Sequence, residues 1–290
     1  MRSGFVPVVG RPNVGKSTLV NALVQTKVSI TSDRPQTTRA AIRGILDRED
    51  LQIVFVDTPG VHRPRTALGN RLNDIVASSL AEADAVVFVI DATGGIGPGD
   101  RRIAERLIEA ATPTVCVVNK TDAAEPDDIV ERLAEAGEWD FAAYVPVSAL
   151  EQLQVSVVID ELAALMPEGP RYFPSGMSTD QGEAFLVSEA IREKFLSRLR
   201  EELPHSLAVV VDDIETLPDG LMRVVARLVV ERDSQKGIVI GKGGLLLRDA
   251  GTEARIELEE RLGRKVHLDL RVTVEKEWQE RPGMIERLGL

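Results

Sequence analysis

The residues with the most specific chemistry form one short stretch near the amino terminus. The sequence GRPNVGKS has the spacing G-x-x-x-x-G-K-S of a phosphate-binding loop. In such a loop the backbone N–H groups surround an anion, the lysine reaches the β- and γ-phosphates, and the serine hydroxyl binds Mg²⁺. We therefore predict that this stretch binds nucleotide phosphates, with Mg²⁺ as a cofactor. The predicted phosphate-binding residues are Gly10, Arg11, Pro12, Asn13, Val14, Gly15, Lys16 and Ser17.

The loop lies between an apolar strand pattern at 5–9 and a helical pattern at 17–24. Strand and helix patterns continue to alternate as far as residue 165. This alternation predicts an α/β fold with a mostly parallel sheet and helices on both faces, in which ligands bind at the carboxyl ends of the strands. Further strands are predicted at 42–47, 53–57, 85–91, 114–119 and 143–147, and further helices at 68–81, 100–111, 127–136 and 155–165.

The motif DTPG follows the strand predicted at 53–57 and consists of Asp57, Thr58, Pro59 and Gly60. At the carboxyl end of this strand the aspartate is placed to hold the Mg²⁺ shell through water. Gly60 can bring its N–H close to a γ-phosphate, because no Cβ blocks the approach. The next residue, Val61, stands where Ras-like enzymes have a water-orienting glutamine, so we expect slow intrinsic hydrolysis.

The motif NKTD follows the strand predicted at 114–119 and predicts the choice of base. The Asp122 carboxylate can accept two hydrogen bonds from guanine, whereas adenine offers no such pair of donors. The Lys120 stem would lie against the base or ribose, and Asn119 would connect this loop to the phosphate loop. After the last strand, backbone N–H groups of Ser148 and Ala149 can bond guanine O6. These residues favour GTP and GDP as ligands and disfavour an ATPase.

Three strings of the first half, GRPNVGKSTLVNAL, SITSDRPQTTRAAIRGIL and DTPGVHRPR, resemble the bacterial Era family of TrmE-Era-EngA-like small GTPases. The second half resembles the same family in EELPHS, GKGG and KVHLDLRVTV. The resemblance covers nearly the whole chain. It implies a GTP-hydrolysing switch that binds the 3′ end of 16S ribosomal RNA and assists assembly of the 30S subunit and rRNA processing. One departure is the loop 151–154, EQLQ, which lacks a glycine that the family leads us to expect.

The polar stretch 32–41 fits a first switch, a loop that a γ-phosphate and Mg²⁺ would order. By resemblance, Thr38 is the magnesium-sensing threonine, with Thr37 as the alternative, and it joins Ser17 and Asp57 as predicted magnesium ligands. Asn13 resembles an asparagine that coordinates an activating K⁺ in related GTPases; the alternative is that it only shapes the loop. His62 is either a general base or a solvated bystander.

The second half is predicted to be a smaller α+β domain. A Pro- and Gly-rich stretch at 167–182 predicts an interdomain linker between a GTP-binding domain at 1–166 and a domain at 183–290. The latter shows the order α-β-β-α-α-β of a prokaryotic, type II KH domain. We predict helices at 184–203, which Pro204 would stop, at 235–240 and at 245–262. We predict strands at 207–215, 221–230 and 265–274.

The GKGG turn between two of these helices predicts an RNA contact, because its glycines let the backbone approach a single strand and its lysine can contact a phosphate. The alternative is a tight helix–helix turn without a ligand. Arg255, Arg264 and Lys265 are further candidates for phosphate contacts, although the arginines could instead pair with Glu257, Glu259 and Glu260. The predicted RNA-binding residues are Gly241, Lys242, Gly243, Gly244 and Arg248.

The composition bounds these predictions. The net charge is −11, which argues against a globally basic nucleic-acid binder. Residues 236–290, however, carry eleven Lys or Arg and ten Asp or Glu, so the acidic excess lies outside the region of the GKGG turn. The single cysteine, Cys116, lies in an apolar run and is expected to be a core thiol.

No signal peptide or membrane-spanning stretch is evident in the 290 residues, so we expect a soluble, cytoplasmic protein. We also expect it to be a monomer. The resemblance also implies loose membrane association at the inner face of the cell membrane. A rival hypothesis keeps the GTPase but makes the second domain a KH-shaped adaptor for a protein partner.

Overall fold

The structure is a computed structural model that describes residues 1–34, 36–61, 64 and 66–290. The chain divides into two compact units. The first contains most of the residues up to Asp180, and the second consists mainly of Gln181–Leu290. Each unit is described by itself, with its helices and strands numbered along the chain.

The first unit contains a six-stranded sheet in the order β2-β3-β1-β4-β5-β6. Strand β2 runs antiparallel to β3, and the other neighbouring pairs are parallel. The mostly parallel α/β sheet predicted from the alternating pattern is thereby confirmed. The strands are β1 (Arg2–Val9), β2 (Ile42–Asp47), β3 (Leu51–Asp57), β4 (Val86–Asp91), β5 (Thr114–Asn119) and β6 (Ala143–Val147).

Helices cover both faces of this sheet, as β4 shows most clearly. Its residues Val87 and Val89 pack in a core with α1 and α5, whereas Phe88 and Ile90 pack in a second core with α2, α3 and α4. Successive residues of a strand point to opposite faces, so a strand buried on both sides is apolar throughout. The helices are α1 (Lys16–Val24), α2 (Ala67–Ala81), α3 (Pro98–Ala110), α4 (Pro126–Ala136) and α5 (Val155–Leu165).

The stretch interpreted as a linker is hydrogen-bonded to the first unit over residues 167–180. The buried Gln52 side chain accepts the N–H groups of Tyr172 and Phe173 and donates to the Phe173 carbonyl at 3.0 Å. Further along, the Ile45 N–H of the edge strand β2 donates to the Ser178 carbonyl at 2.8 Å. These contacts attach the segment beside β3 and β2.

The second unit contains a three-stranded sheet, β7-β8-β9, in which β7 and β8 are antiparallel and β8 and β9 are parallel. One face packs against helices to form a separate apolar core. The order along the chain is that of the predicted KH domain. The elements are α6 (Glu183–Leu196), α7 (Leu203–Ser206), β7 (Ala208–Thr216), β8 (Met222–Val230), α8 (Asp233–Ile240), α9 (Leu245–Leu262), β9 (Val266–Val274) and α10 (Pro282–Arg287).

The helix predicted at 184–203 is wrong over residues 197–202. Helix α6 ends at Leu196, and the short helix α7 begins at Leu203 with Pro204 inside its first turn. Proline is well suited to this position, because the first turn of a helix needs no intrahelical N–H donor. Pro204 therefore helps to start a helix, whereas the apolar spacing alone suggested that it stops one.

The end of the chain adds structure that periodicity did not predict. Trp278 is fully buried and donates its indole N–H to the Ser206 carbonyl at 3.0 Å.

In the part of the chain that the structure describes, no helix combines the length and apolar character needed to cross a membrane.

Candidate functional sites

The phosphate loop leaves β1 and enters α1, and its last glycine is tightly packed. Gly15 has a φ of 92°, and a Cβ at this position would lie 2.3 Å from the Asn119 side-chain nitrogen. Asn119 donates to the Val14 carbonyl at 2.9 Å and accepts the Ala149 N–H at 3.0 Å. This one side chain therefore connects the phosphate loop to both loops of the predicted base site.

Lys16 lies at the centre of the loop. Its Nζ donates to the carbonyl oxygens of Gly10 at 3.2 Å and Arg11 at 2.8 Å. Burial lowers the pKa of Lys16 to about 8, although the nearby Asp57 acts in the opposite direction. A phosphate group would supply the negative charge that this buried ammonium lacks.

The three predicted magnesium ligands meet in one place. The Ser17 hydroxyl donates to Asp57 Oδ2 at 2.7 Å and lies 3.0 Å from the Thr38 hydroxyl, which itself donates to Asp57 at 3.2 Å. This geometry favours Thr38 over Thr37 as the threonine of the cluster. Burial raises the pKa of Asp57.

The chemistry of the cluster fits Mg²⁺. Two hydroxyls and a carboxylate are oxygen donors, which Mg²⁺ prefers, and Mg²⁺ in nucleotide sites takes few protein ligands beside phosphates and water. In addition, Asp57 Oδ1 is buried and has no hydrogen-bond partner among the described residues. A hydrated cation in this place would satisfy it.

The DTPG turn packs against the phosphate loop. A Cβ on Gly60 would lie 2.8 Å from Pro12 Cα, and the Val61 N–H donates to the Gly10 carbonyl at 3.2 Å. Thr58 points away from the loop, because its hydroxyl donates to the Val8 carbonyl at 2.8 Å. Its position indicates support of the turn. His62 lies outside the described residues, so its predicted alternatives stay open.

The predicted base site contains one carboxylate in contact with the last loop. Asp122 accepts a hydrogen bond from the Ser148 hydroxyl at 2.5 Å. The N–H groups predicted to contact guanine O6 already have acceptors, since Ser148 donates to the Leu153 carbonyl at 3.2 Å and Ala149 donates to Asn119. A contact with O6 would therefore have to share one of these donors.

Asp91, at the end of β4, contacts the predicted base site although no motif indicated it. Its carboxylate accepts a hydrogen bond from Lys120 Nζ at 2.6 Å and two from Thr93. Burial acts to raise the pKa of Asp91, but the hydrogen bonds from Lys120 and Thr93 outweigh it, and the pKa is lowered. The signal was present in the sequence, because a carboxylate directly after an apolar strand of a parallel sheet lies at the ligand-binding edge.

The loop without the expected glycine keeps a tight shape through two other residues. Gln152 and Gln154 have φ values of 56° and 61°, a conformation that glycine adopts without strain. Ser148 and Leu153 bond each other's backbone across the loop. The departure from the family pattern thus leaves a closed turn beside Asp122.

In the second unit the GKGG turn connects α8 and α9. Gly241 has a φ of 76°, and a Cβ there would lie 2.8 Å from Leu246 Cβ, so only glycine fits without displacement. Next to the turn is a groove of about 340 Å³ between α9 and β9. It is lined by Gly244, Leu247, Arg248, Gly251, Thr252, Arg255, His267, Leu268 and Leu270.

The cations near this groove differ in their availability. Arg255 and Lys265 both pair with Glu259, and Arg264 pairs with Glu183 of α6. By contrast, Arg248 is largely exposed, and its one ion pair within the described part of the chain is with the neighbouring Asp249 at 3.3 Å. Lys242 is exposed and has no ion pair with any residue that the structure describes. Lys242 and Arg248 are therefore best placed to contact phosphates.

Comparisons with known proteins find relatives of both units. Residues 5–120 match the family model described as 50S ribosome-binding GTPase, and residues 202–279 match the KH domain model. The chain is 55% identical over 294 residues to GTPase Era of Mycolicibacterium paratuberculosis, an alignment that covers 99% of this chain and 98% of that protein. It is 54% identical over 294 residues, with the same coverage, to GTPase Era of Mycobacterium tuberculosis strain H37Rv.

Two solved structures resemble the whole chain. One is Era in complex with MgGDPNP and nucleotides 1506–1542 of 16S ribosomal RNA, and the other is an Aquifex aeolicus Era variant bound to GDP and AlF4⁻. Each has a TM-score of 0.96 and 37% sequence identity, and the alignment covers 100% of this chain and 99% of the other.

Proposed function

Because this chain belongs to the GTPase Era family, we propose that it is a GTP-hydrolysing switch that binds the 3′-terminal region of 16S ribosomal RNA and assists 30S subunit assembly and rRNA processing. The observation that carries the proposal is the full-length similarity to a relative that holds a GTP analogue and this RNA at once. The nucleotide loops described above supply the groups for GTP binding, and the groove of the KH domain supplies those for RNA binding.

In the nucleotide site the protein positions phosphates and charge. Lys16 and the N-terminus of α1 bind the β- and γ-phosphates, and Gly60 directs its N–H at the γ-phosphate. Ser17, Thr38 and Asp57 hold Mg²⁺, which when bound neutralises charge on the phosphate oxygens. Asp122 selects guanine, and Asn119 keeps the base loops and the phosphate loop together.

Hydrolysis is slow without help, because the Val61 side chain has no polar atom with which to orient a water molecule. We place an activating K⁺ next to Asn13, whose φ of 65° puts it at the bend of the phosphate loop. The test is GTP turnover in KCl against NaCl. Faster turnover in KCl that is lost in Asn13→Ala supports the site, and equal rates in both salts contradict it.

In the KH domain the groove between α9 and β9 takes single-stranded bases, while Lys242 and Arg248 contact phosphates beside the GKGG turn. The glycines of the turn allow the sugar–phosphate backbone to come close. Only a few cations are free here, so the salt dependence of binding should be modest.

The decisive experiment for the RNA half uses the full-length protein and a 3′-terminal 16S fragment. We expect Lys242→Ala combined with Gly243→Asp to abolish filter retention of this RNA while GDP binding is unchanged. The second substitution adds a negative charge at a left-handed position that aspartate tolerates. Lys276→Ala, which removes an exposed lysine elsewhere in the same unit, is the matched control. Unchanged retention by the loop variant would favour the adaptor hypothesis.

The remaining parts of the proposal concern the cell. We infer from the family that the protein is a cytoplasmic monomer that associates loosely with the inner face of the membrane. Sedimentation analysis tests the monomer, and flotation of cell fractions with membrane vesicles tests the association.

A further inference from the structure

Arg11, the second residue of the phosphate loop, directs its side chain away from the loop's concave centre. Its Nε lies 2.8 Å from both carboxylate oxygens of Asp100, a residue of the first turn of α3. The Asp100 side chain is fully buried, whereas 35% of the Arg11 side chain is exposed. The pair therefore joins the phosphate loop to a helix 89 residues further along the chain.

Asp100 is itself held in place by the start of its helix. One of its carboxylate oxygens accepts the Gly97 N–H at 2.9 Å, which caps α3. The buried carboxylate thus has a backbone donor on one side and the Arg11 guanidinium on the other. Buried charges need such partners, because desolvation without them is costly.

The chain leaves room for the arginine at the start of α3. A Cβ on Gly99 would lie 3.0 Å from Arg11 Cδ and 3.3 Å from Cγ. A Cβ on Gly97 would lie 3.7 Å from Arg11 Nη1. The arginine stem lies across this glycine-containing turn, and a larger side chain at residue 99 would displace it.

The backbone of Arg11 is part of the nucleotide site. Its carbonyl oxygen accepts the Lys16 ammonium at 2.8 Å. The following residue, Pro12, packs against Gly60 of the DTPG turn. A movement of the Arg11 side chain would therefore move a backbone that contacts both Lys16 and the DTPG turn.

We propose that Arg11 and Asp100 form a positioning pair that holds the phosphate loop in the shape required for β-phosphate binding. In this proposal, which rests on the nucleotide site proposed above, Arg11 acts through the loop backbone and its guanidinium is not a phosphate ligand. The carboxylate that fixes it, Asp100, contacts no part of the nucleotide.

The two hypotheses for Arg11 make opposite predictions for Asp100→Asn. If Arg11 is a positioning residue, losing the charge of its partner weakens nucleotide binding. If Arg11 is a phosphate ligand, the same change frees the guanidinium and leaves binding equal or tighter. Asparagine keeps the size of the side chain and an oxygen for the Gly97 N–H, so it isolates the ion pair.

The experiment is a double-mutant cycle in the full-length protein with Mg²⁺ and a fluorescent GDP or GTP analogue. Arg11→Ala and Asp100→Asn are each expected to weaken the binding of both nucleotides about tenfold. The double variant should bind them no more weakly than the weaker-binding single variant. Arg11→Lys, which keeps the charge, should restore part of the loss. Arg101→Ala is the matched control, since it removes a different ion pair of α3, with Glu135 of α4.

Competition by GMP distinguishes an altered phosphate loop from a general loss of folding, because GMP lacks the β- and γ-phosphates. We expect its affinity to change less than twofold in all four variants. Normal GDP binding by Asp100→Asn, or a parallel loss of GMP, GDP and thermal stability, would overturn the proposal. If the unmodified protein binds no guanine nucleotide, the proposed function fails instead.

Discussion

Replacement of Gly15 by alanine tests how the nucleotide site is built. The residue combines a left-handed φ of 92° with a neighbour, Asn119, whose nitrogen would be 2.3 Å from the new methyl carbon. Carbon and nitrogen atoms do not approach this closely without a covalent bond. Either the backbone of the loop or the Asn119 side chain must move.

The size of the effect follows from what moves. A non-glycine residue in the left-handed region costs about 1–2 kcal/mol. Displacement of Asn119 breaks its bonds to Val14 and Ala149, each worth about 1 kcal/mol. The free protein can relieve the strain by reshaping the loop, whereas the nucleotide-bound protein cannot. We therefore expect the substitution to reduce the binding free energy by about 3 kcal/mol, which corresponds to about 100-fold weaker binding of GDP.

The assay is titration of a fluorescent GDP analogue, with thermal denaturation to verify folding. Gly137→Ala is the matched control, because this glycine has a φ of −59° and nothing lies within 4 Å of its added Cβ. It should bind GDP like the unmodified protein. If Gly15→Ala binds GDP within threefold of the control, the Asn119 link is not what supports the site.

Two other predictions concern single groups. Asp122→Asn should weaken the binding of GDP by more than about 100-fold and favour xanthosine diphosphate in competition assays. The reason is that an amide pairs with the N1–H and carbonyl of xanthine. An unchanged preference for guanine would refute the base assignment. Burial lowers the pKa of Lys16 to about 8 in the folded protein, from the ordinary lysine value of 10.5 that applies to the unfolded chain. The unfolded chain thus binds more protons in this interval, and the nucleotide-free protein should gain stability as the pH rises through it. Urea unfolding should show that the free energy of unfolding rises between pH 8 and pH 10 in the unmodified protein, and rises less in Lys16→Met. An equal rise in the two proteins would contradict this prediction.

Local pattern predicted most of the first unit. The strands β4 and β5 are apolar along most of their length, so each could be recognised alone. Proline at the start of α3 and α4 moves those helices only slightly from the predicted bounds. The order of the motifs also placed Ser17 and Asp57 together, because parallel strands end at one edge of the sheet. Thr38, which joins them, was identified by resemblance to the family and not by its position after a strand.

Partners distant in sequence could not be predicted in the same way. Neither the pairing of Arg11 with Asp100 nor that of Lys120 with Asp91 follows from spacing, since both depend on which loops the sheet order brings side by side. The break after Leu196 had a different cause. Apolar spacing continues at Leu199 and Leu203, so the pattern gave no sign that the helix ends at Leu196.

For the proposed switch, guanine nucleotide must control RNA binding, and the most direct test measures the affinities for nucleotide and RNA in one thermodynamic cycle. The RNA is the 3′-terminal 16S fragment, and the full-length protein carries either GDP or a non-hydrolysable GTP analogue at fixed salt. We expect tighter RNA binding in the GTP-like state, and the RNA must then favour the GTP analogue over GDP by the same factor. Equal RNA affinity in the two states would contradict the account, because a ligand that binds two states equally shifts neither.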